Sequence, residues 1–246
     1  MSGTAAAARP LRSNTRRTHR PAAWERFGAL SGVVGAVALV AAACVLSSTP
    51  SVDASPAAVR HHVDGHHLLT MVSAYVTVVA SLLLVPFLAS LRTFTARRRD
   101  VGQWRWTITL VTGAIGIAML MLAGALLATA TLLANRSSAD EAVYATFVAA
   151  KLVVTLALLP VAALVLANAR TIAATRGRPD RWLVRFDIQI AVIAAVASVV
   201  SFVDSEWLTP GEPVAAAAWL LVGLWVAALA RTIAFGDDAP DSEEPS

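Results

Sequence analysis

Six predominantly apolar stretches, each about 20 residues or longer, constrain this chain more than any other feature. They are Phe27–Ser47, Leu68–Leu91, Ile108–Ala134, Ala142–Ala167, Leu183–Val203 and Val214–Phe235. A helix rises 1.5 Å per residue, so about 20 residues cross the ~30 Å hydrocarbon layer of a bilayer. The runs are continuous and do not alternate, which predicts helices and not barrel strands. Composition agrees. Hydrophobic residues make up 57% of the 246, charged residues only 15%, and mean hydropathy is +0.65. A soluble domain is nearer 45–50% apolar and roughly 25% charged. The reading is an all-α polytopic membrane protein, a six-transmembrane-helix bundle, whose environment is the lipid bilayer.

Positive charge predicts the orientation. Arg9, Arg12, Arg16, Arg17, Arg20 and Arg26 precede the first stretch. Arg92, Arg97, Arg98, Arg99 and Arg105 lie between the second and third, and Arg170, Arg176, Arg178, Arg181 and Arg185 between the fourth and fifth. Arg231 falls near the end of the last. Only Arg60 and Arg136 fall on the other side. The positive-inside rule then makes the chain N-in/C-in, with both termini cytoplasmic. Trp24, Trp104, Trp106 and Trp182 fall at the expected inner interface and Trp207 at the outer one, where indole rings anchor. Arginines dispersed between apolar runs are not the soluble basic face of a nucleic-acid reader.

Residues 1–23 read as a disordered basic cytoplasmic tail, 24–236 as the transmembrane domain, and 237–246 as an acidic cytoplasmic tail. Arg16-Arg17 lacks the closely following apolar run of a twin-arginine signal. Ala41-Ala42-Ala43-Cys44 lacks the leucine of a lipoprotein box, so the first helix is expected to be retained. Cys44 is the only cysteine, which excludes an intrachain disulfide and a cysteine-based metal centre within one chain. Gly28, Gly32 and Ala36 form a small-residue row on the first helix, and Gly113, Gly116 and Gly124 lie along the third. Such rows let helix backbones approach closely in lipid. Pro86 and Pro160 interrupt the second and fourth stretches, a pairing that also occurs at transporter sites.

The densest polar constellation is His61-His62-Val63-Asp64-Gly65-His66-His67, expected outside, just before the second spanning helix. Ser55 before Pro56 reads as an N-cap with proline at the first helical position, predicting a short surface helix from Pro56 to about Asp64. His61, His62, Asp64, His66 and His67 are candidate ligands for zinc or copper, since neutral imidazoles and a carboxylate suit both. The alternatives are a solvated interfacial loop and a pH-responsive element. Haem fits poorly, because four of the five histidines crowd one loop.

Three further residues are polar inside apolar stretches. Lys151 sits about 13 Å below the outer surface at 1.5 Å per residue. A charged lysine near mid-bilayer costs on the order of 3 kcal/mol, so it is expected to pair, to snorkel outward, or to serve a substrate or proton. Asp64, Asp140, Glu141, Asp204, Glu206 and Glu212 are its outer candidate partners. Asp187 and Gln189 lie in the first turns of the fifth stretch, where a carboxylate suits the helix dipole and is able to accept from Arg185 or from the Arg-rich loops. No glycine-rich phosphate loop, nucleophile elbow or HExxH pattern occurs, so no catalytic residue and no resident cofactor is expected, zinc or copper at the histidines aside.

The stretch Ser48-Thr49-Pro50-Ser51-Val52-Asp53-Ala54-Ser55, followed by His66 and Ser73-Ala74-Tyr75, resembles the first outer loop of an uncharacterised actinobacterial six-helix integral membrane protein family, a domain of unknown function. Phe87–Arg92 and Arg181-Trp182-Leu183 resemble its second-helix end and fifth-helix start. His61 and His62, where aromatics are usual, and Arg185 and Asp187 depart from it. The resemblance implies the six-helix fold and a bacterial plasma (inner) membrane, and it carries no activity. Three function classes follow. The first is a non-enzymatic membrane protein with a regulatory role, a membrane-protein partner or a second copy of itself. The second is a small transporter using Lys151 and the outer acids. The third is an extracytoplasmic metal-binding or sensing protein using the histidine cluster.

Overall fold

The structure is a computed structural model. It describes residues 23–96, 103–136, 139–173, 181–200 and 213–235. The described residues are all-helical, with α1 Ala23–Ser47, α2 Pro56–Gly65, α3 His67–Ala96, α4 Gln103–Asn135, α5 Asp140–Leu156, α6 Leu158–Ala173, α7 Arg181–Val200 and α8 Pro213–Phe235. Five helical stretches are long and apolar enough to cross a membrane, taking α5 and α6 together as one, Asp140–Arg170. The fifth expected stretch corresponds to α7, whose described residues are not among those five. The expected N-terminal tail, Ala23 apart, and the acidic tail lie outside the described residues, as does Trp207.

The chain is inside-out relative to a soluble protein. Leu30, Val34 and Val37 on α1, Leu82 and Val85 on α3, and Leu220 and Leu224 on α8 face outward. The interior is rich in alanine and holds buried serine and threonine. A soluble monomer rarely leaves so much contiguous apolar surface uncovered, whereas lipid tails solvate it. Several buried hydroxyls are satisfied within their own helices, as where Thr77 donates to the Ser73 carbonyl and Ser81 to that of Thr77, whereas the Ser198 hydroxyl has no partner.

Each long helix packs on the next: α1 on α3, α3 on α4, α4 on α5 and α6, α6 on α7, and α7 on α8. Helix α8 returns to α1 and closes the ring. Glycines set the closest approaches. A Cβ on Gly28 would lie 2.7 Å from the Pro86 carbonyl oxygen, and one on Gly32 would collide with the Phe87 ring. The small-residue row of α1 is therefore used within the chain, against α3.

The two prolines behave differently. Helix α3 runs unbroken through Pro86. Pro160 has no N–H to give the Leu156 carbonyl, and the helix is interrupted at Ala157, whose own N–H donates to Val153 at 2.9 Å. The expected fourth stretch is therefore two helices, and the paired helix breaks of a transporter site do not form.

Candidate functional site

Helix α5 carries Asp140, Tyr144, Phe147 and Lys151 at spacings of four, three and four, which places them in one stripe. The stripe faces the α1–α2 connection and α2 itself. Asp140 accepts from Arg60 of α2 at 2.7 Å. The Tyr144 hydroxyl donates to the Val52 carbonyl at 2.5 Å. Phe147 is fully buried in a cluster with Val59 and Val63, the apolar face of α2. The Lys151 ammonium donates to the Pro50 carbonyl at 2.6 Å and lies 5.3 Å from the centre of the Phe147 ring.

Lys151 is thus buried to 1% exposure with its charge led toward the α2 end. Helical side chains lean toward their own N-terminus, and four methylenes supply the reach. The outward lean expected from sequence is what the structure has, and one acceptor of the ammonium is the Pro50 carbonyl of the loop. Asp140, one of the acids expected to pair with Lys151, is engaged by Arg60. Asp64 and Glu141 are exposed, and Asp204, Glu206 and Glu212 lie outside the described residues.

Helix α2 starts as its sequence dictates. Ser55 accepts from the Ala58 N–H at 3.3 Å and Pro56 occupies the first helical position. Val59 and Val63, four apart, turn inward, leaving His61, Asp64, His66 and His67 exposed and His62 half-buried. His66 closes the helix, its backbone N–H returning to the His62 carbonyl at 3.0 Å. The His62 and His66 rings stack with centroids 4.5 Å apart. Burial first, then His66, Lys151 and His61, hold the His62 imidazole below its ordinary value of 6.5. The structure brings His62 and His66 together but does not gather the five expected ligands. Among the described residues no group of three or more His, Cys, Asp or Glu is arranged to hold a metal ion.

The second polar centre lies toward the α6–α7 end. Asp187 of α7 is fully buried and accepts from the Trp225 indole of α8 at 2.9 Å and from the Asn168 amide of α6 at 3.2 Å. Asn168 is also fully buried, and its Oδ1 has no hydrogen-bond partner. Trp225 lines an apolar cavity together with Phe87, Leu120 and Trp219. Arg185, a donor expected for Asp187, is exposed, and so is Gln189, two residues from Asp187 or about 200° round the helix, while Arg176 and Arg178 of the Arg-rich loop lie outside the described residues.

Tyr144, Asn168 and Trp225 escaped the sequence reading. Asn168 carried a usable signal, since an amide inside an apolar run needs a partner when buried, and so does Asp187. The Pro50 and Val52 carbonyls carried none, because every residue has a carbonyl. No family model, no curated protein and no solved structure matches the chain.

Proposed function

We propose that this integral membrane protein is a six-span, non-enzymatic member of the actinobacterial family its first loop resembles. In this reading it lies in the bacterial plasma membrane with both termini cytoplasmic, and it acts through α2 as an extracytoplasmic recognition element in a regulatory or partner-binding role. The α2 docking carries the reading. A slack connection needs no anchoring, yet this one is fastened at Asp140, Tyr144, Phe147 and Lys151, with His61, Asp64, His66 and His67 turned outward. The arginine distribution supports the orientation. Lys151 serves the anchoring, which weighs against a transporter built on it.

Two measurements test this. With Cys44→Ser removing the native thiol, a cysteine introduced at His67 should react with a membrane-impermeant maleimide in intact cells. One introduced at Arg92 should react only after permeabilisation. A photo-crosslinker at His61 or His67 should then yield a defined adduct with one other membrane protein or a second copy of this chain. Labelling with the reverse sidedness, or a monomer without adducts in native membranes, would sink the reading.

A further inference from the structure

Asp187 poses a problem of charge. Its two hydrogen-bond donors are a neutral amide and a neutral indole. An ionised carboxylate buried without a compensating cation is among the costliest groups a protein interior holds, and in a membrane-spanning bundle it marks an ion or proton pathway by default. Charged residues on the elements packed against α7 do not answer it. Arg170 on α6, Arg231 on α8 and Arg185 on α7 itself are exposed. On α5, Asp140, Glu141 and Lys151 belong to the α2 end, where Asp140 holds Arg60 and Lys151 holds Pro50. Among the described residues the partners of Asp187 are Asn168 and Trp225.

Asn168 supplies the independent observation. Its Nδ2 donates to the Asp187 Oδ2, while its Oδ1 is fully buried and accepts nothing. A buried acceptor without a donor costs about 1–3 kcal/mol. The same amide therefore offers the carboxylate a donor on one edge and a vacant acceptor on the other. A half-turn of the amide about its Cβ–Cγ bond exchanges the two. With Asp187 ionised, Nδ2–H points to Oδ2. With Oδ2 protonated, its O–H requires an acceptor, and Oδ1 turns to provide it. The Trp225 indole holds Oδ1 of Asp187 in both states, so the proton is directed to Oδ2. Three side-chain oxygens, one of them held by the Trp225 indole, are too few for sodium or another hard metal ion, which gathers about six oxygens, but suffice for one proton shared between acid and amide.

We propose that Asp187, with Asn168 as its switchable hydrogen-bond partner and Trp225 as its fixed one, is an intramembrane proton-binding site that loads and unloads reversibly. The test uses the full chain in lipid nanodiscs. Infrared difference spectra across about pH 5 to 9, the span over which buried carboxyls titrate, should contain the carbonyl stretch of a protonated carboxyl that vanishes in Asp187→Asn. N,N′-dicyclohexylcarbodiimide, an apolar reagent for protonated carboxyls, should modify Asp187 in the wild type with a yield rising several-fold as pH falls. This second readout needs no variant and decides the matter if Asp187→Asn fails to fold. Asn168→Leu should shift the midpoint of both profiles, which an amide that only packs would not do. Spectra identical in wild type and variant, or modification that is absent or independent of pH, overturns the proposal. So does suppression of the modification by sodium but not potassium at fixed pH, which assigns the site to sodium.

Discussion

Lys151 and Asp187 are buried charged residues of opposite sign at the two ends of the bundle, and the two ends treat them differently. At the α2 end Lys151 carries its charge along a four-carbon stem to the Pro50 carbonyl, and the stripe around it fastens a loop and a helix. At the other end Asp187 has a single methylene. It cannot move its charge, so α6 and α8 bring Asn168 and Trp225 to it. A long side chain exports the electrostatic problem to the edge of the fold. A short one keeps it inside, where only neutral donors or protonation relieve it. The first end is thereby built for holding and the second for switching.

The largest effect that tests this contrast is expected from Phe147→Ala. Removing a fully buried ring costs about 3–5 kcal/mol, and here the loss falls between α5 and α2. Thermal unfolding in detergent should register it. Hydrogen exchange should show faster α2 amides with protection in α6–α8 retained. Equal loss at both ends would mean that they are not separable. Next comes Gly28→Ala, in the first turns of α1, away from the α2 end. Its Cβ would sit 2.7 Å from the Pro86 carbonyl oxygen and 2.7 Å from the Ser90 Cβ, groups with little room to yield, so a loss of about 1–3 kcal/mol is expected. Gly65→Ala, with nothing within 4 Å of the new methyl, should cost nothing by the same assay.

The smallest effect concerns pH at the α2 end, because His62 is only partly buried and solvent screens it. Its folded-state value lies below 6.5, so the unfolded chain takes up the proton first as pH falls. The stability it contributes is present above about pH 6.5 and is lost as pH falls through the folded-state value. Exchange of the α2 amides, corrected for intrinsic rates, should therefore quicken on acidification from pH 7.5 to 5.5, and His62→Gln should flatten that response. An unchanged profile in the variant would remove His62 from the account.

Much of the fold was legible because the signals were local. Long apolar runs gave the helices to within a few residues, and Ser55-Pro56 gave the start of α2. The small-residue row on α1 marked a packing face, though not which helix covers it, since that choice is tertiary. At the candidate sites the polar residues were visible and their partners were not. Lys151 and Asp187 stood out against apolar neighbours. Their acceptors and donors lie 101, 19 and 38 residues away in sequence, and one is a backbone carbonyl. The break at Ala157 was implicit in Pro160, and the same reasoning applied to Pro86 would have interrupted α3, which stays whole. One missing N–H is tolerated or not according to what packs around the freed carbonyl.

The return of α8 to α1 has a consequence for how the molecule is made. Gly223 of α8 sits against Val40 and the Ala36 carbonyl, a seam between helices far apart in the order of synthesis. Every other neighbouring pair in the hoop is consecutive along the chain and is able to zip as it emerges. This clasp, like the smaller contact of α8 with α3, must wait for the last helix. Until then the inner wall formed by Ala36, Leu39 and Phe87 opens sideways to lipid or to whatever insertion machinery attends it. Ring closure is therefore a late, long-range step that waits on α8, whereas the long-range docking of the α1–α2 connection on α5, 101 residues apart at Pro50 and Lys151, is able to form before α8 is made.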